Sequence, residues 1–488
     1  MKAFAIALTL LTLILPPVYS ATYFVDSRSG KDTNSGSSPA VAWSTLTRVN
    51  TTKFLPGDTI LFKRGCSWTG TLSPSGSGAK SKVITIDAYS RGSSPIINGN
   101  GADNALVLNG QSYWTLKNLE ITNTSAVEAA RSGVLIQAVD TVSQGITLQN
   151  LYVHDVSGIA AWGTPKWGNA GIRFNIWQDP SPLRPTSMSD VLVDGCKLQD
   201  IHAIAILMLS NSVEPNTNVV ISNNFINRTG ADGIVVQNCK GPIIRDNTCY
   251  RAGHLSNDFQ YIAAIWAMES DSPLFQHNEV AYTAVQVTNG AIFYGDSQAF
   301  DIDDNCTGTP IIEDNYSHEN GGGFLLVMDK STFNAVYARY NVSVNDGRTN
   351  CGNNSTFHLG RGQVYFYNNV FYDGNRLGIV APDVAGTFYE NNIFDSTGPC
   401  VYGAQAKYTH NCYTGHSPAV ADDGKVLDDP LFVNPGSAGD GFGACSGYKI
   451  KKKSPCRSHA GSPPASTDKD FFGKPIGGGL LDIGADQM

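Results

Sequence analysis

Eleven short segments of the chain share one grammar: an alternating strand, a turn residue and a second strand. They read "WTLKNLEIT", "ITLQNLYVH", "VLVDGCKLQ", "VVISNNFIN", "PIIRDNTCY", "PLFQHNEVA", "PIIEDNYSH", "VYARYNVSV", "VYFYNNVFY", "TFYENNIFD" and "AKYTHNCYT". The shared turn residues are Asn118, Asn150, Gly195, Asn224, Asn247, Asn278, Asn315, Asn341, Asn369, Asn392 and Asn411. A corner that needs a left-handed backbone accepts Gly freely and Asn better than other residues. Asparagines stacked at one corner can also hydrogen-bond along the stack. The interval between corners varies from 19 residues (Asn392 to Asn411) to 45 (Asn150 to Gly195). Constant strands with variable loops fit a solenoid rather than a sandwich.

A third strand follows the pair in coil after coil: "GIRFNI", "AIAILM", "GIVVQN", "AIWAME", "AFDIDD", "GFLLVM", "FHLGRG". Three short strands per coil predict an all-β chain. The expected fold is a single-stranded, right-handed parallel β-helix of about a dozen coils with an Asn ladder. "PAVAWSTLTRVNTTKFLPGD", with Trp43, Leu46 and Val49, suits a short helical cap over the open first coil. The expected organisation is a signal peptide over 1–20, the cap and first strands over 21–82, the β-helix over 83–415 and a closing segment over 416–488.

The first residues carry one lysine, an apolar run from Ala3 to Leu15 and small residues before Ala21, the pattern of a cleaved secretory signal. Beyond it stand 33 basic residues against 42 acidic ones. That balance argues against nucleic acid or an anionic membrane as partner. Ten cysteines in an exported chain suggest disulfides, with Cys239–Cys249, Cys400–Cys412 and Cys445–Cys456 as local pairings. Asn-x-Ser/Thr sequons fall at Asn50, Asn123, Asn227, Asn305, Asn315, Asn341, Asn353 and Asn354, so a glycoprotein is conceivable, although Asn315 and Asn341 belong to the buried corner. The chain is expected to act as a secreted monomer.

Chemistry concentrates in "GDSQAFDIDDN", Gly295 to Asn305. Phe300 and Ile302 take the core, so Asp301 and Asp303 point outward together. Aligning the coils places Glu269 one coil earlier, Asp329 and His358 on following coils, and Gln237 and Arg173 with Asn175 further up. Trp177 and Trp266, with Trp162, Trp167 and Tyr294, offer flat faces to sugar rings. His318 and Glu319 are read as supporting groups near the loops, and Asp296 belongs with the aspartate cluster. Crowded carboxylates separate acid from base roles, and glycosidic hydrolysis uses two such groups. Asp303 is the first catalytic candidate, with Asp301 or Glu269 as its partner. The others, Arg173, Trp177, Gln237, Trp266, Asp296, His318, Glu319, Asp329 and His358, are assigned to the substrate. No cofactor is required by this reading. Its alternative is one Ca²⁺ held by Asp296, Asp301, Asp303 and Asp304.

The opening "TYFVDSRSGKDTNSG…AWSTL…FLPGDTILFKRG", the Asn corners and the closing "DPLFVNPGSAGDGF…GYKIKKKSPC…DFFGKPIGGGLLDIGAD" resemble secreted β-helix proteins of the pectate-lyase-like superfamily. That resemblance implies a substrate groove along the third strand and a polysaccharide substrate, with lyases, hydrolases, epimerases and adhesins all within the group. The opening is similar to family 9 pectate lyases, which carry a lysine base where this chain has Asp303. The Gly-His-Gly and Arg-Ile-Lys motifs of polygalacturonase-type hydrolases are absent. Together these features favour a glycoside hydrolase, with a calcium-dependent uronate lyase or epimerase and a non-catalytic glycan-binding solenoid as rivals.

Overall fold

A computed structural model describes residues 20–487 apart from 160–167, 256–260, 286, 289–290, 293–296, 329–331, 348–357, 360–361, 376–377, 382, 416, 466 and 478. For 287–288, 291–292 and 358–359 it describes the backbone alone. The chain winds as a parallel β-helix. A full coil lays one strand on each of three long sheets, here sheets A, B and C, of 16, 13 and nine strands. The coil with Ile243–Arg245, Thr248–Tyr250 and Ala263–Met268 shows the order A, B, C. Inward residues stack in register: on sheet C the row is Leu106, Val134, Ile172, Ile206, Ile234, Ile265, Phe300 and Leu325, all fully buried. One coil cannot bury its own inner face, so the stack is the core.

The corner between sheets A and B holds two adjacent columns. Left-handed backbone occurs at Asn118, Asn150, Gly195, Asn223, Asp246, His277, Asp314, Tyr340, Asn368, Asn391 and His410. The next residue enters the interior. From Asn224 onward that residue is asparagine. Backbone N–H and Nδ2 of Asn224 both donate to Asn247 Oδ1, at 3.0 and 2.9 Å. The same pairing runs through Asn278, Asn315, Asn341, Asn369, Asn392 and Asn411, and Asp422 ends it. The sequence pattern merges these columns. Only Asn118, Asn150 and Gly195 of the expected turn residues adopt the left-handed backbone. The other eight are ladder residues, and their neighbours turn the corner. Ladder amides can replace water for a dry corner's backbone groups, which is why the column is asparagine.

Helix Leu46–Asn50 closes the first coil, capped by Thr45, whose side chain accepts from the Arg48 N–H. It buries Leu46 and Val49 beside Trp43, which stacks on Tyr23 at 4.7 Å. At the other end the chain folds back over the outer face of sheet B. Phe432, Tyr448, Ile450, Phe471 and Ile483 there form a second apolar cluster with Tyr316, Val342, Val344, Val370 and Ile393.

The nine described cysteines are all unbonded, against the disulfide expectation; Cys351 lies outside the described residues. Cys239 and Cys249 sit on strands of different sheets and are fully buried. They fill space as small apolar groups do. Cys412 neighbours Cys456 rather than Cys400, and hydrogen bonding to that thiol together with burial raises the Cys412 pKa. Asn315 and Asn341 are wholly buried in the ladder, which removes both from the accessible sequons.

Candidate active site

Sheet C presents two outward rows. The first runs Val107, Leu135, Arg173, Leu207, Val235, Trp266, Asp301, Leu326 and His358. Its apolar members from Leu135 to Leu326 are buried, and only 5% of Asp301 is exposed. The second row is partly open and richer in hydrogen-bonding groups: Asn109, Gln137, Asn175 and Leu209 in one register, then Gln237 and Met268. Asp303 extends this row, because its N–H continues the ladder to Ala267 O at 2.9 Å. Asn109 and Gln137 were missed by the sequence reading. Their signal was the amide two residues beyond the apolar centre of "ALVLN" and "VLIQ".

The carboxylates meet at one end of this face. Asp303 Oδ1 accepts the N–H of Asp304 at 2.7 Å. Glu269 is exposed, has a left-handed backbone, and its N–H reaches Asp304 O at 2.9 Å. It is therefore level with Asp304, Met268 faces Asp303, and the bend at Glu269 ends the strand. Glu269 also accepts from Gln237 Nε2 at 2.8 Å, tying adjacent coils. Cys306 lies beneath the group and donates to Ala267 O at 3.3 Å. Burial pushes its thiol up to about 12, and the charges of Asp301, Asp303 and Glu269 add to the effect.

Other expected site residues fall in different places. Trp177 ends strand Ala170–Trp177 with 45% of its surface exposed, whereas Trp266 is buried against the core. Arg173 lies on the same strand, partly exposed. His318 and Glu319 do not reach sheet C. His318 is fully buried on the outer face of sheet B, bonded to Glu279 at 3.2 Å and stacked on Tyr316 at 4.4 Å. Glu319 follows at a left-handed bend and accepts from Asn345 Nδ2 at 2.7 Å. The cause is the C-terminal segment: Gly441 N–H donates to Glu279 at 2.6 Å and the Tyr282 hydroxyl to Asp440 at 2.7 Å, covering the face on which these groups stand. His358 pairs with Leu326 as expected for its coil, but its side chain is outside the described residues, as are Asp296, Asp329, Trp162, Trp167 and Tyr294. Among the described residues no group of three or more His, Cys, Asp or Glu is arranged to hold a metal. Asp301, Asp303 and Asp304 alone therefore do not build the calcium site.

A family model described as "Right handed beta helix region" matches residues 104–280 and 188–345. The chain is a right-handed parallel β-helix protein. Lacto-N-biosidase of Bifidobacterium longum subsp. longum is 25% identical over 85% of this chain, and the match spans only 30% of that much longer protein. The native crystal structure of the GH136 lacto-N-biosidase from Eubacterium ramulus matches with TM-score 0.60 and 23% identity, over 84% of this chain and 67% of that one. The complex of XylC with xylose matches with TM-score 0.56 and 11% identity, over 96% and 98%. At these identities the structural matches speak to the fold alone.

Proposed function

We propose that this β-helix is a secreted glycoside hydrolase that cleaves a glycan lying along the outer face of sheet C. The observation that carries the proposal is the pairing of Asp301 and Asp303, two residues apart on one outward face, at the end of a partly open row of amides. Likeness to a lacto-N-biosidase over most of this chain supports hydrolysis over elimination. The leading apolar run before Ala21 supports export.

The division of labour follows from the surroundings. Asp301, packed between Trp266 and Leu326 in its row, is the candidate proton donor to the glycosidic oxygen. Asp303, more open to water, is the candidate carboxylate that activates water or attacks the sugar carbon. Alternate residues on a strand have Cα atoms roughly 6.6 Å apart, a spacing compatible with water between the two groups. Gln237, Asn175, Gln137 and Asn109 offer donors and acceptors to sugar hydroxyls along the row, and Trp177 offers an aromatic face.

The test is a glycan panel assayed for new reducing ends and for ultraviolet absorbance of unsaturated uronides. Hydrolysis gives reducing ends without absorbance, lost in Asp303→Asn. An absorbing product, or an Asp303→Asn protein with full activity, would refute the assignment. Retention on one glycan without any cleavage would identify a binding module instead.

A further inference from the structure

Arg173 is a partly buried cation with no counter-ion among the described residues. It projects from the outer row of sheet C between Leu135 and Leu207, both buried. Among the described residues its terminal nitrogens bond to neutral acceptors, Asn175 Oδ1 at 2.9 Å and Gly168 O at 3.4 Å. Its Nε is shielded from water and has no acceptor. Burial lowers its pKa, and no carboxylate among the described residues offsets that effect. Other arginines on the molecule show how such a group can be satisfied. Arg339 pairs with Glu313 at 2.6 Å and Arg245 with Asp246 at 2.6 Å. Arg131, also buried, places Nε and Nη1 on the carbonyls of Gly101, Val127 and Ala129.

Taking a guanidinium partly out of water onto neutral acceptors alone is unfavourable, so Arg173 carries a charge that no described group offsets. The planar fork of Arg fits an oxyanion through paired N–H bonds better than it fits a neutral hydroxyl. Arg173 is partly accessible and shares its row with Asp301. Four strand steps separate them, which at the usual spacing is about 19 Å, a distance of several sugar units.

We infer that Arg173 forms a subsite for an anionic group on the glycan, a carboxylate or a sulfate ester, carried several sugar units from the bond that is cleaved. The inference rests on the placement of the glycan along sheet C proposed above, and it names the substrate as an acidic glycan.

The probes are matched twins: oligogalacturonate against its methyl ester, and a sulfated against an unsulfated oligosaccharide of equal length. Each is titrated calorimetrically into the whole chain. At least one acidic twin should bind about tenfold tighter than its neutral partner, the worth of one charged hydrogen-bonded contact. Which pair responds separates carboxylate from sulfate. Arg173→Gln should close the gap to about twofold. Arg173→Lys, which keeps the charge and loses the fork, should leave part of it and serves if the Gln variant does not fold. Twins bound equally, twins not bound at all, or a gap untouched in a folded Arg173 variant would overturn the subsite. The readout is binding, so a protein that separates the twins yet releases no reducing ends would refute hydrolysis and leave Arg173 assigned.

Discussion

Sheets B and C of the same coils both carry acids on their outer faces, with opposite fates. On sheet B, Glu279 and His318 are buried, and Glu279 takes bonds from His318, the Tyr250 hydroxyl and the Gly441 N–H. Burial and the Glu279 charge together hold the Tyr250 phenol protonated. On sheet C, Asp303 and Glu269 remain open to solvent to different degrees. The difference lies in what covers each face. A C-terminal segment seals sheet B and turns its polar groups into internal glue. Acidic or histidine content alone therefore does not distinguish a covered face of a solenoid from an open one.

The comparison can be broken first at the carboxylates of sheet C. Asp303→Asn and Asp301→Asn should each lower turnover at least about a hundredfold with an unchanged melting temperature, the usual scale for losing a general acid or base. Glu269→Gln should cost about tenfold or less, because Glu269 is level with Asp304 and bonded to Gln237. A Glu269 effect equal to that of Asp303 would move the centre one residue along the coil.

On the structural side, Asn315→Ala removes the oxygen that accepts both N–H groups of Asn278. Two buried donors left without a partner should lower the unfolding free energy by about 3 kcal/mol, read by chemical denaturation. Next comes a pH effect. Burial, helped by the Glu313 charge, pushes the Asp314 carboxyl up to about 8. The folded chain holds this proton while the unfolded chain releases it near 4, so unfolding releases a proton across that window. This group's contribution is full below about pH 4 and is lost as pH rises through 8. Asp314→Asn keeps a residue suited to the left-handed corner and should flatten that decline by up to roughly 1 kcal/mol per pH unit. Smallest of all is the functional effect of His318→Gln: weaker folding by about 1–3 kcal/mol, with turnover of the folded protein within about twofold of wild type.

Much of this architecture was legible in the chain. Strand periodicity and the recurring Asn gave the coils, and apolar alternation in "AFDIDD" correctly turned Asp301 and Asp303 outward. The failures share a cause. Periodicity reports which way a side chain points relative to its own strand, not what a distant segment later lays over it. His318 and Tyr316 point outward and are buried by residues more than a hundred positions away. One-residue errors arose where a column is defined by backbone conformation: the ladder asparagines stand behind left-handed His277, Asp314 and Tyr340. The disulfide expectation read sequence proximity as spatial proximity, whereas neighbours in a solenoid are a full coil apart.

The most direct measurement is reducing-end release by wild type, Asp303→Asn and His318→Gln, side by side on one cleaved glycan. The account predicts activity lost in Asp303→Asn and kept in His318→Gln. Activity kept in Asp303→Asn and lost in a folded His318→Gln would place the chemistry on sheet B and contradict it.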